Sequence, residues 1–152
     1  MTLLLGIDLI EVARIAAAVD RWGNRFLNRV YAAGEIQPRR HRDALAQHLA
    51  GRFAAKEAAM KALGTGWRGV HFREIVIGRE ASGRPVIRFE GKALARSRAL
   101  SVIQSEVTIT HTAEMAAAVV ALVCGGPAAT SAGRSRNRKA ATVRRPRRGS
   151  PP

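Results

Sequence analysis

Two separated segments of the chain carry three ionisable side chains that together suit one kind of chemistry. Asp8 lies in GIDLIEVARI, residues 6–15, where an apolar run gives way to an amphipathic stretch. Glu57 and Lys61 lie one helical turn apart in RFAAKEAAMKALGTG, residues 52–66. Brought together, two carboxylates and an ammonium can bind a divalent cation and a phosphate ester. Magnesium fits because it takes oxygen ligands, typically one or two carboxylates completed by phosphates and water.

Each of these residues also has a purely structural explanation. Asp8 can cap the helix that follows it, which contributes about 1 kcal/mol. Glu57 and Lys61 can form an i,i+4 ion pair, which contributes about 0.3 kcal/mol. This second explanation is the weaker one, because Glu57 follows Phe53 by one turn and lies among alanines. A carboxylate there would be partly desolvated and would need a compensating charge.

Other candidate binding signals in the sequence are weak. The four histidines lack metal-ligand spacing, and no Cys/His pattern for zinc is present. The Gly64-Thr65-Gly66 break could hold a phosphate, but such breaks more often only end a helix.

Periodicity and turn residues predict the elements that must position these groups. The predicted elements are a buried strand at 3–10, helices at 11–23 and 24–32, a central helix at 43–63 ended by Gly64, a strand hairpin at 72–78 and 85–90, a short helix at 92–100, and a strand pair at 102–110 and 115–123. Residues 37–43 are predicted to be a surface connection. The fold class is α+β.

The net charge of +15 is divided unevenly along the 152 residues. Residues 125–152 hold eight basic residues and no acid, so residues 1–124 keep a charge of +7. The tail has too few large apolar residues to offset its ordering entropy. We therefore predict one domain at 1–124 and a disordered tail at 125–152. The basic body favours an acidic partner or an anionic ligand.

Cysteine content and hydropathy predict a soluble, cytoplasmic protein. The single cysteine, Cys124, excludes an internal disulfide and fits a reducing compartment. The longest apolar run, 115–124, has ten residues, whereas roughly 20 are needed to span a bilayer. Asp8 interrupts the run at the N-terminus that could otherwise be a signal core.

A nucleic-acid-binding protein is the main alternative function. The isoelectric point is about 11.8, and an arginine-rich tail is a common electrostatic footprint of such proteins. However, only 5% of the residues are aromatic, and no helix-turn-helix, zinc or RNA-recognition signature is present. We therefore expect nucleic acid to bind only non-specifically, through the tail.

Both chemistry-bearing segments resemble the signature motifs of the holo-[acyl-carrier-protein] synthases, the small 4'-phosphopantetheinyl transferases. The resemblance covers residues 3–123. A looser match is ITHT at 109–112 followed by AAAVV at 116–120, which resembles the family's closing strand pair, with Thr110 where serine is usual. The resemblance implies the 4'-phosphopantetheinyl transferase fold, a small antiparallel sheet packed on a long central helix. It also implies a homotrimer with the site between subunits.

The reaction implied by the resemblance moves the phosphopantetheine arm from coenzyme A to a serine of an apo acyl carrier protein, and adenosine 3',5'-bisphosphate leaves. Asp8 and Glu57 would hold Mg²⁺ against the pyrophosphate, and Lys61 would lie near the transferred phosphate. The serine proton would go to Glu57 or to a metal-bound water. The further residues expected to contact coenzyme A are Arg52, Lys56, Gly64, Thr65, Gly66, Pro85 and His111.

Five residues on the first two predicted helices are candidates for binding the carrier protein: Arg14, Arg21, Arg25, Phe26 and Arg29. Carrier proteins of this class are acidic, so a basic surface beside the site would steer and hold them. For any single arginine, a solvated basic face is the alternative.

Overall fold

A computed structural model describes residues 1–37 and 41–126 of the chain, without the side chain of Arg68. The elements are β1 (Thr2–Glu11), α1 (Val12–Val30), α2 (Arg42–Leu63), α3 (Gly66–Gly69), β2 (Ile75–Arg79), β3 (Pro85–Phe89), α4 (Gly91–Ala99), β4 (Val102–His111) and β5 (Met115–Cys124). The predicted α+β class is confirmed. The tail was predicted to be disordered and to bind nucleic acid non-specifically. Almost all of its residues lie outside the described ranges.

One three-stranded sheet and one hairpin surround the long helix α2. β1, β5 and β4 form an antiparallel sheet with β5 in the centre, and β2 pairs with β3. The alanines of α2 from Ala50 to Ala59 have no exposed surface. Because small side chains lie on several faces of α2, the helix packs against β1, β5 and β2 at once. In residues 1–37 and 41–126, no helix is both long and apolar enough to cross a membrane.

Two predicted glycines mark the kink in α1 and the end of α2, whereas α1 ends at Val30 instead of the predicted residue 32. α1 spans both predicted N-terminal helices but is kinked at Gly23, whose φ of 49° and ψ of −130° are not helical. α2 ends at Gly64, whose φ of 68° is in the left-handed region that favours glycine.

The burial of β1 differs from the prediction. Residues 3–10 were predicted to be buried on both faces because they are almost continuously apolar. The structure instead exposes alternate side chains, Leu3, Leu5, Ile7 and Leu9, by 57–64%, while Gly6 and Ile10 face the core. The physical reason is topological: β1 is an edge strand of the sheet, and α2 covers only one of its faces.

Between α2 and β2, one prediction is wrong and one short element was not predicted. Residues Phe72–Glu74 form a 3₁₀ turn rather than the start of a strand. The Glu74 carboxylate holds this turn by accepting hydrogen bonds from the backbone N–H groups of His71 (2.9 Å) and Lys92 (3.1 Å). The short helix α3, Gly66–Gly69, was not predicted, because four residues carry no measurable periodicity.

Candidate active site

Gly6 brings β1 into direct backbone contact with α2. A Cβ atom on Gly6 would lie 1.9 Å from the carbonyl oxygen of Ala58 and 2.8 Å from the backbone nitrogen of Ala62. Only glycine permits this approach, which positions Asp8, two residues further on, beside the last third of α2. Sequence reasoning did not single out Gly6, although a glycine inside an apolar strand is a signal of close backbone approach.

Lys61 of α2 is bonded to β1 across this contact. Its ammonium donates to the Asp8 carboxylate at 2.8 Å and to the Ile7 carbonyl oxygen at 2.9 Å. The Asp8 side chain is 14% exposed and that of Lys61 52%. The N-cap of α1 is Glu11, without a side-chain capping bond, so the structure does not support the capping explanation for Asp8.

The Glu57 carboxyl faces the same point from α2. Burial raises the pKa of Glu57 above its ordinary 4.5, and the negative charge of Asp8 raises it further. A hydrogen bond from Trp67 and the positive charges of Lys61 and Arg14 oppose that rise. Two carboxylates that repel each other in a partly desolvated place favour a cation between them.

The donor set fits one class of metal site. In the described part of the chain, no three His, Cys, Asp or Glu side chains come together to hold a metal ion. Asp8 and Glu57 alone would leave most coordination positions to other oxygen donors. That arrangement is typical of Mg²⁺ bound through one or two carboxylates and substrate phosphates.

A cavity of about 430 Å³ lies nearer the start of α2. Three of the residues predicted to contact coenzyme A line it: Arg52, Pro85 and His111. His48 of α2 and Arg79 of β2 line it as well, and sequence reasoning missed both. The positive charges of the two arginines, Arg52 and Arg79, suit an anionic ligand.

Lys56 is not available to bind coenzyme A, and that prediction is wrong. Its side chain has no exposed surface and donates to the Glu35 carboxylate at 2.8 Å. It also donates to the carbonyl oxygens of Phe72 (2.9 Å) and Ile75 (2.5 Å). Burial lowers the pKa of Lys56, and Glu35 opposes this. Lys56 is therefore a structural residue, neutralised inside the core.

The predicted site residues fall into two groups within one chain. Asp8, Glu57 and Lys61 converge near the end of α2, where Gly64-Thr65-Gly66 follows and the Thr65 N–H donates to the carbonyl oxygen of Met60. Arg52 belongs to the cavity group. It lies nine residues before Lys61, about 13 Å along the helix axis.

The residues predicted to bind the carrier protein border two adjoining grooves on α1. One groove, of about 430 Å³, includes Arg25, Phe26 and Arg29, and the other, of about 390 Å³, includes Arg14, Arg21 and Phe26. Trp22 and Phe53 line both grooves, and Trp67 lines the first. Trp67 is 73% exposed and Trp22 49%. Sequence reasoning missed both, although exposed tryptophans are typical of interfaces.

Comparison with known proteins identifies the family. The family model for the 4'-phosphopantetheinyl transferase superfamily matches residues 4–120. The holo-[acyl-carrier-protein] synthase of Koribacter versatilis is 44% identical over 123 residues, which cover 80% of this chain and 98% of the relative. The crystal structure of the Helicobacter pylori holo-[acyl-carrier-protein] synthase in complex with coenzyme A matches with a TM-score of 0.68 at 30% identity, covering 79% of this chain and 100% of that one.

A second crystal structure matches similarly. It is the holo-(acyl-carrier-protein) synthase of Bacillus anthracis in complex with CoA (3',5'-ADP), with a TM-score of 0.63 and 30% identity, covering 80% of this chain and 96% of that one. The chain belongs to the 4'-phosphopantetheinyl transferase superfamily and, within it, to the holo-[acyl-carrier-protein] synthase enzymes.

Proposed function

We propose that this chain transfers 4'-phosphopantetheine from coenzyme A to a serine hydroxyl of an apo acyl carrier protein, releasing adenosine 3',5'-bisphosphate, with Mg²⁺ required. The observation that carries the proposal is the convergence of Asp8, Glu57 and Lys61 from β1 and α2. The names of the relatives, and the coenzyme A in two matching crystal structures, support the choice of substrates. A cytoplasmic location remains a prediction.

Each residue of the convergence has a distinct role in this proposal. Asp8 and Glu57 would hold Mg²⁺, which when bound neutralises charge on the pyrophosphate and its leaving group. The half-exposed ammonium of Lys61 neutralises charge on the attacked phosphate. The serine proton would go to Glu57 or to a water bound to the metal. This reaction class depends mainly on positioning and charge neutralisation, so no covalent intermediate is needed.

The cavity lined by Arg52, Pro85 and His111 is the proposed binding place for the nucleotide end of coenzyme A. Its basic lining supports this assignment. The cavity and the carboxylates belong to different ends of α2, and a site between two copies of the chain would bring them together.

A homotrimer is part of the proposal. Four apolar side chains of one edge strand, Leu3, Leu5, Ile7 and Leu9, are more than half exposed, and such a contiguous face favours a protein interface. Ile7 and Leu9 flank Asp8 in the sequence, but side chains alternate along a strand, so this face is opposite to the one on which Asp8 meets α2.

Complementation between inactive variants tests the shared site. Asp8→Ala and Arg52→Ala proteins would be unfolded together, refolded as mixed oligomers and assayed. Because half of the subunits supply each intact group, random assortment predicts recovery of about a quarter of the wild-type activity. No recovery from mixtures that light scattering shows to be trimeric would place both groups of one site in the same subunit.

The surface proposed to bind the carrier protein is the pair of grooves on α1. Because the carrier is acidic, Arg21→Glu should slow association and weaken its dependence on salt. Trp22→Ala should instead raise the dissociation rate, because it removes buried apolar contact area. Stopped-flow binding at two salt concentrations separates these effects, and equal effects on both rates would argue against the assignment.

Intact-mass spectrometry tests the reaction itself. An apo acyl carrier protein would be incubated with coenzyme A, Mg²⁺ and either the wild type or Glu57→Gln. The expected result is a gain of one phosphopantetheine with the wild type only, abolished by EDTA. A folded wild-type protein that neither modifies any carrier nor binds coenzyme A would refute the proposal.

A further inference from the structure

His48 and Arg52 form a buried chain of hydrogen bonds at the wall of the cavity. They lie one turn apart on α2 and are 9% and 4% exposed. Arg52 Nη1 is 3.1 Å from His48 Nδ1, and His48 Nε2 is 3.0 Å from the backbone carbonyl oxygen of Glu35. The imidazole therefore bridges the loop after α1 to the guanidinium.

These partners define the hydrogens on the ring. A carbonyl oxygen only accepts, so Nε2 must carry a hydrogen, whereas a guanidinium only donates, so Nδ1 must accept. Both bonds exist together only for a neutral imidazole protonated at Nε2. A second proton, on Nδ1, would point at Arg52, and it would add charge beside Arg52 and Arg79 of the same cavity.

Glu35, whose carbonyl oxygen binds His48, is itself held by several hydrogen bonds. The Glu35 carboxylate accepts hydrogen bonds from Lys56 Nζ (2.8 Å), from the Ile77 N–H (2.9 Å) and from the Ala32 N–H (2.6 Å). Glu35 is 2% exposed. The carbonyl oxygen that binds His48 is therefore fixed by contacts to α2 and β2.

We propose that His48 is a positioning residue that holds the Arg52 guanidinium in the orientation that binds a phosphate group of coenzyme A. This inference rests on the proposed function, which assigns the cavity to the nucleotide. Arginine binds phosphate through a planar fork of donors, so its orientation matters as well as its charge. Without the bond to His48, more of the ordering of the Arg52 guanidinium must occur on binding, and affinity falls by about two- to tenfold.

Three variants separate positioning from a merely structural role. His48→Leu removes both hydrogen bonds, His48→Gln keeps one donor and one acceptor, and Arg52→Ala removes the group that is positioned. Calorimetry would measure binding of coenzyme A and of adenosine 3',5'-bisphosphate to each folded variant in the presence of Mg²⁺. Steady-state assays at saturating carrier protein would give kcat and KM.

The proposal predicts coupling between the two residues. His48→Leu should raise the Kd and KM for coenzyme A by about two- to tenfold, with a smaller change in kcat, and His48→Gln should recover most of the loss. In an Arg52→Ala background, His48→Leu should have no further effect, because the group it positions is gone. Nitrogen NMR of the wild type should show the Nε2-protonated tautomer.

The outcomes that overturn the inference are distinct from those that overturn the proposed function. If Arg52→Ala weakens binding but His48→Leu does not, or if the two effects add fully, His48 does not position Arg52. If Arg52→Ala leaves coenzyme A affinity unchanged, the assignment of the cavity fails and this inference with it. The mass-spectrometric assay decides separately whether the chain is a transferase. If His48→Leu fails to fold, the His48→Gln titration and the NMR tautomer still test the proposal.

Discussion

The Gly6→Ala substitution should both destabilise the protein and displace its candidate active site. The added Cβ would lie 1.9 Å from the Ala58 carbonyl oxygen, 2.8 Å from the Ala62 nitrogen and 2.9 Å from the Ala58 carbonyl carbon. Close C···O contacts in proteins begin at about 3.3 Å, so β1 and α2 must separate by about 1.4 Å at this point. All three neighbouring atoms are backbone, so no rotamer change relieves the clash.

Stability and activity should respond by different amounts. Overpacking of a core costs about 1–3 kcal/mol, which corresponds to a fall in Tm on the order of 4–12 °C for a domain of this size. The same separation moves Asp8 away from Lys61, to which it is bonded at 2.8 Å. Because a misplacement of about 1 Å can reduce rate roughly 10²-fold, turnover should fall by about that factor in protein that is still folded.

Thermal unfolding and the intact-mass transfer rate, measured well below Tm, would test this prediction. Gly78→Ala is the matched control, because its Cβ would lie 3.2 Å from a movable methyl group of Val86. Gly78 is remote in sequence from Asp8, Glu57 and Lys61, and because the next residue, Arg79, lines the cavity, the transfer rates are compared at saturating coenzyme A. The control should change stability by less than about 1 kcal/mol and leave turnover intact. Wild-type turnover in Gly6→Ala would refute the claim that this contact positions Asp8.

Three further predictions concern the charged residues of α2 and their partners. Glu57→Gln should abolish transfer. Burial and the charge of Asp8 raise the pKa of Glu57 above 4.5. The free energy of unfolding of the metal-free wild type should therefore fall as pH rises through that raised pKa. Urea unfolding at several pH values in EDTA would show this loss. The same dependence of unfolding free energy on pH in Glu57→Gln as in the wild type would contradict it. Lys61→Ala should lower kcat more than it raises the KM for coenzyme A, since the proposed role of its charge is to act on the attacked phosphate; an effect on KM alone would reassign it to substrate binding. Lys56→Met should cost about 3–5 kcal/mol by leaving Glu35 charged and unmatched in the core. In denaturant unfolding, the double variant with Glu35→Gln should recover part of that loss, and full additivity of the two changes would argue against the pair.

The two elements that carry Asp8, Glu57 and Lys61 could be predicted from the sequence because each depends on local signals. The helix α2 is Ala-rich, ends at a glycine and carries Glu57 and Lys61 on one face, so its extent and direction follow from propensity and capping. The apolar run before Asp8 indicates a strand. That these two elements are adjacent came from the resemblance to a known family, since spacing alone does not define which elements pack together.

The exposure of one face of β1 and the burial of Lys56 could not be predicted in the same way. A continuous apolar run is compatible with a strand buried on both faces and with a strand that only one layer covers. Lys56 depends on Glu35, which lies 21 positions earlier on a loop whose path has no periodicity. Sequence neighbours give no information on such a pair, because burial of both charges is decided by tertiary packing.

The angular positions of residues around α2 explain why nearby motif residues have different surroundings. His48, Arg52 and Lys56 repeat every four residues and therefore lie on one face, which meets Glu35 and the cavity. Glu57 and Lys61 repeat in the same way about 100° further around the axis, and that face meets β1. The charge of Lys56 is consequently neutralised inside the core, whereas that of Lys61, five residues later, remains half exposed beside Asp8. The motif therefore places two sets of side chains at a four-residue period, one at the wall of the cavity and in contact with Glu35, and the other beside Asp8.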